Sequence, residues 1–258
     1  MTELEPLTLA LLCLAALAAG FVDAIAGGGG LLTMPALLGA GLPPHLALGT
    51  NKGQSVFGAA IALWRFQRSG LVDARRAVFT FPAGLAGAAA GAALVLALRP
   101  EVLRPVILVL LVAVAIHLAV RRPPRAATAK PLDAVAPLKP LLAVAVALAI
   151  GAYDGFFGPG TGTFLIVAFA VLAGDGLAAA SGNAKVVNFA SNLASVSLFA
   201  SRGVVLWEVA LPMAAAQVLG AWFGAHSAIR GGDVLVRRVV LLVVVALCLK
   251  IGVDLLRA

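Results

Sequence analysis

Charge is what this chain has least of. Asp, Glu, Lys and Arg make up 12% of its 258 residues, against about 25% in soluble domains. With 62% hydrophobic residues, that shortfall excludes a soluble globular fold, because a core of this size cannot hide so much apolar surface. Cysteine is nearly absent too. Cys13 and Cys248 lie far apart, each in an apolar segment. That excludes a disulfide framework and a thiolate metal site and leaves packing thiols. His45, His117 and His226 are scattered near segment ends without ligand spacing, so neither a metal nor another cofactor is expected. No phosphate-binding loop pattern and no nucleophile set is present, which leaves a membrane-embedded enzyme with nothing to work with. Acidic residues are outnumbered, 11 to 19. In a membrane chain that imbalance reflects basic cytoplasmic loops rather than nucleic-acid binding. The apolar run "MTELEPLTLALLCLAALAAG" has no Lys or Arg at its head, so a retained first span is expected rather than a cleaved signal.

What is present is a series of ten apolar segments, the first five near 4–26, 31–42, 45–66, 77–98 and 102–120. The other five fall near 141–157, 162–174, 178–200, 205–228 and 234–256. Between the sets lies a basic, proline-rich bridge over 121–140, which reads as a cytoplasmic linker. The two sets match in detail. Gly20, Asp23, Gly27 and Gly29 recur as Gly151, Asp154, Gly158 and Gly160, 131 residues on; Gly49, Lys52 and Gly70 recur as Gly182, Lys185 and Gly203, 133 on. The expectation is an all-α, polytopic membrane protein of two pseudo-symmetric repeats, 1–120 and 141–258. It should have about eight full transmembrane helices and two short broken or re-entrant segments.

The short segments are the second of each set. Twelve residues make a helix of about 18 Å, too short for a hydrocarbon core of about 30 Å. The positive-inside count does not choose between re-entrance and crossing, since each places twelve basic residues inside and five outside. Length favours re-entrance, with the two halves parallel, and that is the expectation taken here.

Candidate chemistry falls on three features. Lys52 and Lys185 sit in apolar helices just after "GTN" and "SGNA". Each is either an anion ligand or a lysine reaching to the interface. Asn51 and Ser55 flank the first, and Asn183, Asn188 and Asn192 accompany the second. The glycine breaks, Gly28 to Gly30 and Gly160 with Thr161 and Thr163, can offer backbone N–H groups to an anion ahead of a helix start. They can equally be packing or hinge elements. Asp23 and Asp154 precede the breaks and read either as proton-coupling carboxylates or as caps and lysine partners. Gly87/Gly91 and Gly220/Gly224 read as helix contact faces, and Trp64, Trp207 and Trp222 as interfacial anchors.

At these residues the sequence resembles a known family. "GFVDAIAGGGGLLTMPALLGAGLPPHLALGTNK" and "GAYDGFFGPGTGTF…AKVVNFASN" look like the paired signatures of the TauE/SafE (TSUP) membrane permeases, nearest its YfcA-like branch. The resemblance implies a multi-pass carrier of the bacterial inner membrane for small anions such as sulfite, sulfonates or related organosulfur and organic anions. The lipid bilayer and the anion are then its partners, with a homo-oligomer left open. A passive anion channel is the alternative.

Overall fold

The computed structural model describes residues 4–120 and 140–256. The bridge over 121–140 therefore lies almost wholly outside the described residues. Among the described residues every element is a helix: α1 (Pro6–Ala26), α2 (Gly30–Gly39), α3 (Pro44–Arg68), α4 (Ala74–Ala97), α5 (Pro100–Val120), α6 (Pro140–Phe156), α7 (Thr161–Leu172), α8 (Leu177–Ser201) and α9 (Trp207–Leu256). Four of them begin on a proline, whose fixed φ and missing N–H suit the first helical turn. α9 breaks at Gly232 (φ 54, ψ −155), so its two parts stand where the sequence places separate segments.

The surface is the apolar side of this molecule. Leu7, Leu14, Val78, Val171, Leu141 and Phe223 are all more than 60% exposed, while Lys52 and Lys185 are buried. Such an inverted arrangement suits lipid as the solvent. α1 and α4 are each long and apolar enough to cross a bilayer; α2, α6 and α7 are shorter apolar helices.

Glycine lets the helices approach. A Cβ on Gly91 would fall 2.0 Å from the Ala152 carbonyl oxygen, and one on Gly155 would fall 2.1 Å from that of Ala88. Likewise, a Cβ on Gly220 would meet the Leu17 carbonyl at 2.0 Å and one on Gly224 the Phe21 carbonyl at 2.4 Å. Both glycine pairs thus form helix contact faces, as the sequence suggests, and both contacts join opposite halves. α4 grips α6, and the first part of α9 grips α1. Trp64 stacks on Trp222 at 5.7 Å, with the Arg65 guanidinium 4.2 Å over the Trp222 ring.

These contacts also give direction. Leu17 and Phe21 meet Gly220 and Gly224 in the same order, so α1 and the first part of α9 run parallel. α3 runs the same way: Gly49 lies against Val204, Gly58 against Gln217, and Trp64 against Trp222. So α2 carries the chain back between two parallel helices. α3 and α8 are antiparallel, with Gly49 beside Phe199 and Gly182 beside Phe66. Helices that the sequence pairs between halves therefore point in opposite directions. This corrects the expectation of re-entrance with parallel halves. α2 and α7 are as short as expected, 10 and 12 residues, but length alone does not say which way the chain leaves them.

Candidate functional site: two crossed lysine–aspartate pairs

The glycine breaks build the centre. Gly27 (φ 71, ψ 163) ends α1 in a backbone region open essentially to glycine alone. Gly158 and Gly160 follow α6 with φ of 94° and 86°. The two breaks press against each other: a Cβ on Gly27 would lie 2.2 Å from the Gly162 carbonyl carbon. Thr163 ties them together, its Oγ1 donating to the Ala26 carbonyl at 3.0 Å.

The charged side chains cross between halves. Lys52 on α3 donates to Asp154 Oδ1 on α6 at 2.8 Å, and Ser191 donates to the other carboxylate oxygen. Lys185 on α8 donates to Asp23 Oδ2 on α1 at 2.8 Å and to the Asp23 backbone carbonyl at 2.5 Å. The side chains of Lys52 and Asp154 are 3% and 6% exposed, that of Lys185 0% and that of Asp23 21%. Buried charges require such partners. With each lysine neutralised by a carboxylate, the centre carries no formal net charge.

A polar cavity of about 30 Å³ opens here, room for about two waters or a small ion. Of the residues expected to bind substrate, Gly28, Gly29, Gly30, Asn51, Lys52 and Ser55 line it from the first half, and Thr161, Asn188 and Asn192 from the second. Asp23 and Asp154 border it as well. Four others lie elsewhere. Lys185 is wholly consumed by Asp23, Thr163 by the loop crossing, and Gly160 faces Val114. Asn183 points away, to Asp175 at 2.8 Å and to the Asp73 N–H at 2.8 Å. The sequence held that signal: Asn183 is two residues from Lys185, off the face shared by 185, 188 and 192. Gly158, Gly162 and Gln217 also line the cavity and were not anticipated.

Asn183 belongs to a second buried cluster at the end of α7. Arg76 pairs with Asp175 at 2.6 Å, with side-chain exposures of 8% and 1%. Without Asp175, Arg76 would keep only the part-exposed Asp73 at 3.5 Å, and Asn183 would lose its acceptor, so Asp175→Ala is expected to cost about 3 kcal/mol. Thermal unfolding in detergent would measure it, and an unchanged midpoint would contradict the assignment. Among the described residues no group of three His, Cys, Asp or Glu side chains could hold a metal ion.

The family described as Sulfite exporter TauE/SafE matches residues 12–251. "Probable membrane transporter protein ORF9" of Sinorhizobium sp is 37% identical over 98% of this chain and 96% of its own length. A "Probable membrane transporter protein" of Haemophilus influenzae is 37% identical over 95% of each chain. "Probable membrane transporter protein YfcA" of Escherichia coli K12 is 34% identical over 97% of this chain and 91% of its own. No solved structure matches. With the match running almost from end to end, the chain belongs to the TauE/SafE family of membrane transporter proteins.

Proposed function

We propose that this protein is a secondary carrier of small anions, sulfite or sulfonates in chemical class, spanning the bacterial inner membrane in multiple passes. The observation that carries the reading is the pair of crossed ion pairs at one small polar cavity. Each lysine of one half is held by an aspartate of the other. An anion that takes Lys52, which lines the cavity, must loosen its bond to Asp154 of the other half, which links binding to their relative movement. The cavity is small and bordered by both glycine breaks, which supports a carrier over a wide pore. The opposed directions of α3 and α8 support an inverted-repeat transporter, with its site where two broken helices meet near the bilayer midplane.

Charge then couples anion to proton. An anion at the Gly28 and Gly30 N–H groups stands beside the Asp23 carboxylate, whose Oδ1 already accepts from the Gly29 N–H at 3.3 Å. At about 6 Å and an effective dielectric of about 20, two unit charges repel by nearly 3 kcal/mol. Protonating Asp23 removes that repulsion and leaves Lys185 uncompensated, so proton and anion favour each other's binding. Asp23→Asn should keep substrate exchange and lose accumulation driven by a pH gradient. Because Asp23→Asn leaves the buried Lys185 without a countercharge, with only the Asp23 backbone carbonyl still accepting from it, stability is expected to fall and folded protein is verified before transport is read. Full pH-driven accumulation in both Asp23→Asn and Asp154→Asn would sink the coupling. Reconstitution in liposomes with a panel of anions, with and without a pH gradient, tests the function itself.

Topology has its own test. Ser69 ends α3 and Arg202 ends α8, and these helices are antiparallel. Single cysteines at 69 and 202 are expected on opposite faces, with only 202 labelled from outside by an impermeant reagent. Equal labelling of both would contradict the inverted arrangement.

A further inference from the structure

We infer that this protein holds an anionic phospholipid of the cytoplasmic leaflet in the seam between α3 and the first part of α9. The two helices run parallel, and their far ends meet in one cluster. α3 contributes Trp64, Arg65 and Arg68; α9 contributes Trp222, His226 and Arg230, four residues apart and so on one helical face. Trp64 stacks on Trp222 at 5.7 Å. The Arg65 guanidinium lies 4.2 Å over the Trp222 ring, and the Arg68 guanidinium 4.4 Å over that of Trp64. Arg65 Nη2 also donates to His226 Nδ1 at 2.6 Å. Arginine has only donors, so Nδ1 is the acceptor and the ring's proton stands on Nε2.

The cluster is cationic and unbalanced. Among the described side chains no carboxylate pairs with Arg65, Arg68 or Arg230; the ion pairs take Lys52, Lys185 and Arg76 instead. His226 accepts a hydrogen bond but brings no countercharge. Arg68 and Arg230 are exposed, as are both indoles. A guanidinium laid flat on an indole is held in place, so its N–H groups are presented with little further loss of freedom. Like charges held together without a carboxylate call for an anion from outside the chain. A phosphate group fits, because guanidinium N–H groups bond its oxygens with matching geometry.

The surface beside the cluster says which anion. Toward the membrane interior it is apolar: Phe57 on α3 and Leu219 and Phe223 on α9 are 43%, 55% and 61% exposed. From Phe57 to Arg68 the helix rises about 16 Å, half of a hydrocarbon core of about 30 Å. Apolar, then aromatic, then cationic is the order of acyl chain, interface and headgroup in one leaflet. A soluble anion would need only the last of these. The arginines at 65, 68, 75 and 76 gather at this end, which marks the cytoplasmic side. The device is one-sided. The positions 133 residues away are Ser197, Leu198 and Ser201 for the α3 group, and Ala89, Ala93 and Ala97 for the α9 group. The matching seam at the other end therefore carries neither ring nor charge, so the duplication alone does not account for the cluster.

The test reads the lipid from the cluster's own tryptophans. Of the three in the chain only Trp207, at the start of α9, lies elsewhere. Full-length protein carrying Trp207→Phe therefore reports from Trp64 and Trp222 alone. It is reconstituted in bilayers of phosphatidylcholine and phosphatidylglycerol with one or the other brominated on its acyl chains, and quenching gives the relative affinity of the two lipids. Phosphatidylglycerol should be favoured about fivefold or more, the factor one arginine contributes near an anionic lipid surface. Arg65→Gln combined with Arg68→Gln should bring the two lipids to parity. Arg75→Gln removes a charge exposed on the same side but on α4, and should leave the preference unchanged. Parity in the parent would overturn the inference. So would an equal loss in Arg75→Gln, which would reduce the preference to general surface charge. Displacement of phosphatidylglycerol by inorganic phosphate, beyond that by chloride at equal ionic strength, would give the cluster to a soluble anion and overturn it too. The parent comparison decides even if the double variant does not fold, and it is independent of what the central cavity carries.

Discussion

Replacing Lys52 by alanine is expected to remove transport and part of the protein's stability together. The loss of stability follows from burial. Asp154 would keep its carboxylate in a site 6% exposed with only Ser191 left to it, and stranding one member of a buried pair costs about 3–5 kcal/mol. The loss of transport follows from the proposed role of the lysine as anion ligand. A truncated charge partner in a desolvated site costs about 2 kcal/mol or more, or roughly 30-fold in rate. The two effects separate in the double variant Lys52→Ala with Asp154→Asn, which removes the stranded charge. Its melting temperature in detergent should return most of the way to that of the parent, while uptake into liposomes stays lost. Should the double variant transport like the parent, the pair is a structural tie and the anion binds elsewhere. Lys185→Ala probes the second pair in the same way, and normal transport by it would end the shared-site reading.

The second large effect is expected at Gly27. Gly27→Ala adds one methyl group where the two breaks cross. That methyl would meet the Gly162 carbonyl carbon at 2.2 Å and the Thr163 nitrogen at 2.3 Å, and both are backbone, which cannot step aside. The variant should fail to reach the membrane in folded form, a penalty above about 3 kcal/mol. Gly41→Ala is the matched control. Gly41 also has positive φ, 88°, but nothing lies within 4 Å of its Cβ position, so only backbone strain of about 1–2 kcal/mol should appear. Comparable expression of the two variants would show that the crossing gives way, and that the breaks are not rigid.

Helix ends were the most legible part of this protein, because local chemistry sets them. Expected segment limits and observed helices agree within about three residues in most cases, with proline at starts and positive-φ glycine just past ends. The glycine pairs at 87/91 and 220/224 were readable as contact faces for the same reason, since a missing Cβ acts wherever it is placed. Direction was not readable. The basic residues divide equally under either topology, and what reverses α3 against α8 is packing between segments far apart in sequence. The partners of the lysines were also out of reach. Lys52 lies 29 residues from Asp23 but takes Asp154, 102 residues on, and no local spacing announces that exchange. Gln217 could have been found, because an amide alone in an apolar span needs a reason to be there.

The crossing of halves bears on how the chain is made. α1 leaves the ribosome first, yet the helix that fills its glycine face is the first part of α9, reached some 200 residues later. At about 5–20 residues per second, translation alone puts ten seconds or more between them. Through that interval α1 is covered by lipid or by the insertion machinery, and Asp23 waits for Lys185 at its neutralising position. The packing of α1 is therefore completed last, after α4 has had α6 and α8 to meet. A stalled or truncated chain presents an unpaired carboxylate and a bare groove of small residues, the features by which a quality-control protease can tell an unfinished membrane protein from a finished one.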